Sequence, residues 1–321
     1  MTHLGPGLVD IHGHGALGAE FGRSESGSRL AAAHHRREGT TQLVASLVSA
    51  APAELADRVA VLAPLVADRT LAGIHLEGPF LADRRRGAHH PAALRPPDPG
   101  LVARLADVCD QAGAPGAVRQ WTFAPELDGA PELIRAMAAR GILPAVGHTD
   151  ATADEMTRAL SMIADATGRT PLVTHLFNGM PPWHHRAGGA AVGALAAACR
   201  GEAVVELIAD GTHVAAEVVR MVFDAVGPDG IALVSDAMSA TGLGDGAYRL
   251  GELEVSVTAG VARLAGNAAI AGSTTTLAGC LRWATEVAGI PEADALRAAT
   301  RTPRLVLGIS PPPETARISA E

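Results

Sequence analysis

Histidine and acidic residues follow short apolar runs at several places in the chain, and imidazole and carboxylate groups are ligands of zinc and related divalent metals. A core histidine has no reason to recur in this way, so the pattern predicts a metal-dependent hydrolase site. The polar residues that end these runs are His12, His14, Glu77, His148, His175, His213 and Asp236, and Ser273 closes the series.

The first pair, His12 and His14, has the spacing of an extended strand, in which alternate side chains face the same side and can reach one cation. A pair of turn histidines is the alternative for these two residues taken alone. Two further histidines, His148 and His175, end other predicted strands and favour the metal site.

The chain contains no lysine, so all 26 of its Lys and Arg residues are arginine. This excludes a Schiff base and a carbamylated lysine that bridges two metals. Glu77 is then the natural anionic ligand, with a structural carboxylate as the alternative. Asp236 ends the last predicted strand, where a carboxylate can accept a proton from water, and a helix N-cap is the alternative there. We assign a structural role to His75.

Eight short apolar runs predict strands that are buried on both faces. The predicted strands span residues 8–12, 41–48, 70–76, 121–124, 142–147, 171–174, 204–209 and 231–235. Stretches with helical spacing lie at 53–67, 100–112, 131–140, 153–165, 190–200 and 214–226, and at 274–288 after the last strand.

This alternation of strands and helices predicts an α/β fold with a parallel sheet, either a (β/α)₈ TIM barrel or an open doubly wound sheet. The polar residues favour the barrel, because the carboxyl ends of its strands meet at one mouth. In an open sheet the outer residues would lie too far apart. We therefore expect a single barrel domain over residues 1–321, with a β-hairpin inserted at 247–264.

Composition narrows the function classes. With 48% hydrophobic and 19% charged residues, the chain can bury a large core. The net charge of −8 argues against a nucleic-acid surface. We predict neither a membrane span nor a signal peptide, and hence a cytoplasmic location. The isolated Cys109, Cys199 and Cys280 indicate neither a disulfide framework nor a thiolate metal site.

Several motifs together resemble those of the N-acetylglucosamine-6-phosphate deacetylases, a family in the amidohydrolase superfamily of metal-dependent barrel hydrolases. They occur in the family's order from residue 6 to about residue 308. The motifs are Pro6-Gly-Leu-Val-Asp-Ile-His-Gly-His14, Gly73-Ile-His-Leu-Glu-Gly-Pro-Phe80, Gly87-Ala-His89, Val146-Gly-His-Thr-Asp150, Thr174-His-Leu-Phe-Asn-Gly-Met180, Ile208-Ala-Asp-Gly-Thr-His213 and Val234-Ser-Asp-Ala237.

The resemblance implies deacetylation of N-acetylglucosamine 6-phosphate, giving glucosamine 6-phosphate and acetate in amino-sugar catabolism. It implies that Asp236 is the catalytic acid and base and that His89 helps to stabilise the carbonyl oxygen. The implied metal ligands are Glu77, His148 and His175, with His12 and His14 supporting a second ion in some members. One or two divalent ions per subunit, Zn²⁺ or Fe²⁺, are therefore expected. The implied substrate contacts are Ala88, His89, Asn178, Gly179, Arg186, Asp210, His213, Ala271, Gly272 and Ser273.

Arg186 is the arginine that the resemblance assigns to the substrate phosphate. Its guanidinium can bind phosphate oxygens in pairs. In this family the equivalent arginine is associated with a subunit boundary, which implies a homodimer. An ordinary surface arginine is the alternative.

The chain also departs from the family pattern. Family members usually carry about fifty residues before the first motif and a tail after the last helix, which together form a small β-sandwich. We expect that sandwich to be absent or vestigial in this chain. Gly179 stands where alanine is common.

Two other functions stay open at this stage. A related amidohydrolase would keep the metal residues but act on another N-acetylated amino-sugar phosphate, such as N-acetylgalactosamine 6-phosphate, or on another N-acyl compound. A catalytically silent sugar-phosphate-binding protein would need no turnover at all.

Overall fold

The computed structural model describes residues 7–266 and 269–311. Its strands are β1 (Leu8–Gly13), β2 (Gly15–Ala16), β3 (Ala19–Glu20), β4 (Thr40–Val48), β5 (Gly73–Glu77), β6 (Val118–Phe123), β7 (Leu143–Val146), β8 (Leu172–Val173), β9 (Val204–Ile208), β10 (Ile231–Val234), β11 (Gly246–Leu250), β12 (Leu253–Thr258) and β13 (Val261–Leu264). Its helices are α1 (Glu25–Arg37), α2 (Pro52–Ala67), α3 (Pro99–Gln111), α4 (Ala130–Ala139), α5 (Ala153–Thr167), α6 (Gly189–Cys199), α7 (Ala216–Val226), α8 (Leu277–Glu286) and α9 (Glu292–Leu307).

Eight parallel strands form the central sheet in the order β1-β4-β5-β6-β7-β8-β9-β10. The first and last strands meet, because the Asp236 N–H donates to the His12 carbonyl at 2.9 Å and the His14 N–H donates to the Ala237 carbonyl. The sheet is therefore curved round into the predicted (β/α)₈ barrel, and the carboxyl ends of its strands share one mouth.

The chemistry of the strands explains this closure. The strand β10 is buried along its length, as are β5, β7 and β9, so both faces of the sheet are shielded from solvent by the rest of the protein. Amphipathic helices pack outside them, and local signals fix where several begin. Thr152 and Glu155 form a reciprocal capping box at the start of α5, and Asp98 caps α3 just before Pro99.

The predicted elements agree closely with the observed ones, but two helices were missed. The helix α1 buries Ser28, Ala31, Ala32 and His35, so its inner face has helical spacing without large apolar side chains. The helix α9 contains Pro303, which argues against a helix in sequence but is accommodated here. The buried face of α9 does have helical spacing, so hydrophobic periodicity could have revealed this helix; its members include Ala295, Ala298, Ala299, Thr302, Val306 and Leu307.

The segment predicted as a hairpin, 247–264, contains three antiparallel strands instead of two. A turn at Ala259-Gly260 joins β12 to β13, between the paired Thr258 and Val261. A second tight turn at Gly251-Glu252, between the paired Leu250 and Leu253, adds the strand β11. The described residues form no β-sandwich; besides the barrel they form this sheet and the two-stranded sheet of β2 and β3.

The three-stranded sheet buries one face over the mouth of the barrel. Its Leu250, Val255 and Val257 pack in a small apolar cluster with Val48 and Met238, which lie just beyond barrel strands or at their ends. The insertion therefore forms one wall above the carboxyl ends of the strands, the place where barrel enzymes bind their substrates.

Within the described residues, no helix is both long enough and apolar enough to cross a membrane.

Trp121 on β6 offers a test of the packing beneath the mouth. Its buried indole N–H donates to the Gly78 carbonyl at 2.7 Å, and its ring stacks on Phe80. Replacing it as Trp121→Phe keeps the aromatic packing but leaves a buried carbonyl without its donor. We expect the free energy of unfolding to fall by about 1–3 kcal/mol, measured by urea denaturation at fixed metal content.

Trp183 supplies the matched control because its side chain is 54% exposed. Trp183→Phe should change the free energy of unfolding by less than about 0.5 kcal/mol. Equal effects of the two substitutions would show that the indole bond does not stabilise the loop after β5.

Candidate active site

The polar residues predicted from the sequence meet at the mouth of the barrel. His12 lies on β1 and Glu77 ends β5, whereas His148 and Asp236 follow β7 and β10 by two residues. His175 follows β8 in the same way. All five are buried. The barrel therefore brings together residues that are up to about 220 positions apart in the chain.

Glu77 is the centre of this cluster. Its Oε1 lies 2.9 Å from the Nε2 atoms of both His148 and His175. Its Oε2 lies 3.2 Å from His14 Nε2 and 3.5 Å from His89 Nε2. One carboxylate is thus shared by all these histidines, and His12 Nε2 also lies 3.6 Å from Oε1.

The ring nitrogens are arranged as a metal site requires. His148 Nε2 and His175 Nε2 are 3.0 Å apart, and His12 Nε2 and His14 Nε2 are 3.2 Å apart. Ligand nitrogens that converge at such distances, next to a carboxylate, have the donor set that zinc and iron take. The residues therefore fit one or two divalent cations, with Glu77 placed between the two histidine pairs.

Backbone groups orient two of the imidazoles. The Ser49 N–H donates to His89 Nδ1 at 3.2 Å, so the proton of a neutral His89 ring is on Nε2, towards Glu77. His148 Nδ1 lies 2.8 Å from the Arg85 carbonyl, which can only accept. His148 therefore carries its proton on Nδ1 and presents the Nε2 lone pair to the cluster, as a metal-binding histidine does.

The electrostatics of the cluster favour positive charge. Burial disfavours a charged His14, but its hydrogen bonds to Asp236 and Glu77 raise its pKa to about 9. Burial would raise the pKa of Asp236, but His12 and His14 hold it below its usual value. Burial also lowers the pKa of His89 to about 4, which leaves that ring neutral at physiological pH. The site thus combines ionised carboxylates with a neutral N–H donor.

Asp236 lies next to His12 and His14 in the cluster. Its Oδ1 lies 3.2 Å from His14 Nε2 and 3.5 Å from His12 Nε2. Its backbone is held on both sides, because its N–H donates to His12 and its carbonyl accepts from the Ser273 N–H. A carboxylate fixed in this way can accept a proton at a defined position.

Three of these residues have unusual backbone conformations. His148, His175 and Asp236 have φ angles of 48°, 26° and 49°, in a region that favours glycine. Such conformations cost of order 1–3 kcal/mol each and occur mostly at functional sites. Each lies one or two residues past its strand, where the chain must turn while its side chain points into the mouth.

A cavity of about 410 Å³ opens above the cluster and has the size of a small-molecule site. Several residues predicted to contact substrate line it: Ala88, His89, Asn178, Gly179, His213 and Gly272. His213 is fixed by Asp210, whose Oδ2 lies 2.7 Å from His213 Nδ1. Although burial opposes it, this carboxylate raises the pKa of His213.

Gly179 illustrates how closely the cavity wall approaches the cluster. Its φ is 62°, and a Cβ atom there would lie 2.8 Å from His148 Nδ1. In this conformation a side chain at position 179 would require the His148 ring to move. Glycine, which has no Cβ, avoids this contact. Position 179 is also one at which the sequence departs from the family pattern, in which alanine is common.

Other predicted substrate residues do not line the cavity. Arg186 is exposed in the loop before α6 and contacts His185. Both oxygens of Asp210 are engaged with the 210–213 turn. Ala271 and Ser273 are buried, and Ser273 bonds within its own turn. Within this chain, Arg186 lies outside the site, whereas Asp210, Ala271 and Ser273 shape it without lining the cavity.

Two residues of the site were missed by sequence reasoning. Arg263 on β13 lines the cavity, but no strand-end pattern marks it. Glu206 on β9 is fully buried below the cluster, with Oε2 2.9 Å from His12 Nδ1. A lone carboxylate inside the apolar run Val204-Val-Glu-Leu-Ile was a signal that could have revealed Glu206.

Glu77→Gln tests the centre of the cluster. An amide lacks the negative charge and offers one acceptor oxygen, so metal affinity should fall at least about tenfold, since even outer-shell partners contribute that much. The measurement is elemental analysis of protein loaded with Zn²⁺ and then dialysed. Glu132→Gln, at an exposed surface ion pair, is the control; equal zinc content in both variants would exclude Glu77 as a ligand.

The chain is similar in sequence to enzymes of one family. No protein-family model matches the chain. The N-acetylglucosamine-6-phosphate deacetylase of Homo sapiens is 35% identical over 317 residues, which cover 95% of this chain and 75% of that protein. The enzyme of the same name from Bacillus subtilis is 36% identical over 281 residues, 84% of this chain and 66% of that protein.

Solved structures agree with this relationship. The N-acetyl-D-glucosamine-6-phosphate deacetylase of Mycobacterium smegmatis matches with a TM-score of 0.86 and 42% identity, covering 95% of this chain and 79% of that one. A mutant of that enzyme, solved in complex with N-acetyl-D-glucosamine-6-phosphate, matches equally well at 43% identity. A triazine hydrolase variant, with a TM-score of 0.51 and 14% identity, shares the fold alone. On this identity and coverage, the chain belongs to the N-acetylglucosamine-6-phosphate deacetylase family.

Proposed function

We propose that this protein hydrolyses the acetamide bond of N-acetylglucosamine 6-phosphate, releasing acetate and glucosamine 6-phosphate. The observation that carries the proposal is the meeting of Glu77, His148 and His175 with Asp236 at the mouth of the barrel, in a chain of this family. The cavity above them is large enough for a sugar phosphate.

The chain's own residues would hold the metal. Glu77, His148 and His175 form one group of ligands, and His12 and His14 form a second beside the same carboxylate. A bound Zn²⁺ or Fe²⁺ supplies Lewis acidity, which lowers the pKa of water and polarises a carbonyl. We propose two ions per subunit, because both groups share Glu77.

Asp236 moves the proton. Its depressed pKa keeps it ionised, so it can accept a proton as the water oxygen attacks the acetamide carbon. The C–N bond then breaks, and the same carboxyl donates the proton to the departing nitrogen. Acetate and a protonated amine leave, the amine carrying both protons of the water, and Asp236 returns to its ionised form.

His89 stabilises the reacting carbonyl. Its Nε2 lies 3.5 Å from Glu77 Oε2 in the wall of the cavity, and the Ser49 N–H fixes the other ring nitrogen. A preorganised donor costs no rearrangement as charge develops on the oxygen. The neutral ring is the form that donates without repelling the metal.

Cations around the cavity would bind the phosphate. Arg263 lines the cavity, and His213 is held beside Asp210, which favours its protonated form. Arg186 lies outside the cavity of its own chain. We propose that a second copy of the chain supplies Arg186 to this site, in a homodimer. A cytoplasmic location for the reaction stays a prediction from the sequence.

Acetate release tests the reaction. Purified protein loaded with Zn²⁺ or Fe²⁺ should release acetate from N-acetylglucosamine 6-phosphate much faster than from unphosphorylated N-acetylglucosamine. Faster release from N-acetylgalactosamine 6-phosphate or from another N-acyl compound would reassign the substrate. Binding of the sugar phosphate without any acetate release would identify a silent binding protein.

Asp236→Asn tests the proton step. The amide cannot accept a proton, so kcat should fall by about 10²–10⁴-fold, whereas Zn²⁺ content measured by elemental analysis should stay unchanged. Asp154→Asn, on the first turn of α5, is the control. Full activity in Asp236→Asn would remove this residue from the mechanism.

Arg186→Gln tests the shared site. Loss of a charged hydrogen bond to phosphate should lower kcat/KM for the phosphorylated substrate by about 10–100-fold. Mixed with Asp236→Asn subunits, it should recover activity, because a heterodimer keeps one site with both native residues. A monomer by light scattering, or a mixture without recovery, would contradict a shared site.

A further inference from the structure

Glu206 is a carboxylate buried in the floor of the site, on the barrel strand β9. It is 0% exposed, and its strand neighbours Val205 and Leu207 are apolar and equally buried. A buried charge is costly unless it is paired and hydrogen-bonded. A carboxylate in such a strand therefore needs partners that stabilise its negative charge.

Those contacts reach both groups of histidines. Glu206 Oε2 lies 2.9 Å from His12 Nδ1 and accepts the backbone N–H of His175 at 3.1 Å. Glu206 Oε1 accepts a longer bond, 3.3 Å, from the side-chain amide of Gln120. Glu206 Oε2 therefore bonds to the ring of one candidate ligand, His12, and to the backbone of another, His175, which lie on different sides of Glu77.

The bond to His12 decides which of its ring nitrogens can bind a metal. An ionised carboxylate only accepts, so a neutral His12 carries its proton on Nδ1 and presents the Nε2 lone pair upwards. That Nε2 lies 3.2 Å from His14 Nε2 and 3.6 Å from Glu77 Oε1. The other tautomer would direct an N–H at these groups and leave no lone pair for a cation.

Glu206 differs in position from the other two buried carboxylates of the site. Glu77 Oε2 and Asp236 Oδ1 both lie 3.2 Å from His14 Nε2, on the side of the ring nitrogens that would bind a cation. Glu206 instead contacts Nδ1, the ring nitrogen of His12 that faces away from that side. Glu206 is the one of these carboxylates that lies below the cluster, where it can orient a ligand without occupying the cavity.

We infer that Glu206 is a positioning residue for a second divalent cation, acting through the tautomer and orientation of His12. This rests on the metal-dependent function proposed above and adds to it the residue that makes the His12 and His14 side of the site binding-competent. The alternative is a purely structural carboxylate that secures the turn at His175 through its backbone N–H.

Glu206→Gln in the full-length chain separates these roles. Zn²⁺ binding is measured by equilibrium dialysis against buffered free Zn²⁺, with elemental analysis of the protein. Wild-type protein should bind two equivalents. In Glu206→Gln the weaker equivalent should lose about 10–100-fold in affinity, the usual effect of removing an outer-shell partner, while the tighter one changes less than threefold.

Two further variants guard against a trivial loss of folding. Glu206→Asp keeps the charge and should recover part of the lost affinity. Glu202→Gln changes an exposed glutamate of the same segment, paired with Arg200, and should bind Zn²⁺ as the wild type does. Circular dichroism and urea denaturation compare folding among all variants.

A double-mutant cycle with His12→Asn isolates the path of the effect. If Glu206 acts through His12, Glu206→Gln should change Zn²⁺ affinity less than threefold in the His12→Asn background. An undiminished effect in that background, a single equivalent in the wild type, or unchanged binding in Glu206→Gln would each overturn the inference. Acetate release is not a readout here, so failure of the proposed reaction with two bound Zn²⁺ would leave this result standing.

Discussion

The shared carboxylate of Glu77 is the interaction on which the rest of the site depends. The chain has no lysine, so a bridging anion between two groups of histidines must come from an acid. A carboxylate has two oxygens with separate lone pairs, and here they face different histidines, at 2.9 Å on one side and 3.2 Å on the other. The position of the Glu77 side chain thus determines where both pairs of histidines can lie.

The convergence of these residues requires strained backbone conformations at the strand ends. His148, His175 and Asp236 all turn through positive φ angles immediately after their strands, at a cost of order 1–3 kcal/mol each. The closed sheet can sustain that cost because its strands are buried and bonded on both sides. Buried strands followed by strained turns hold these side chains in defined positions, and a misplacement of about 1 Å can cost about 10²-fold in rate.

The sequence predicted most of this arrangement because the barrel has a simple rule: strand ends meet. Glu77, His148, His175 and Asp236 each follow an apolar run, so their positions could be inferred without knowing any contact. Arg263 and Glu206 do not follow this rule. Arg263 reaches the cavity from an inserted sheet, and Glu206 lies inside a strand, where its partner His12 is 194 residues away. Their roles come from tertiary contacts, which periodicity does not encode. The helix α1 was missed for a related reason, since small and polar side chains form its inner face.

Arg186 raises a different question, because no property of a single chain brings it to the cavity. A phosphate in the cavity would meet Arg263 and His213 of the same chain, and Asp210 raises the pKa of His213. A cation from a second copy would make binding of the phosphate depend on assembly, whereas the candidate metal ligands and Asp236 all lie within one barrel. The chemistry and the recognition of the phosphate are therefore separable: the first depends on strand ends that one chain fixes, and the second on loops and an inserted sheet that the barrel leaves free to vary.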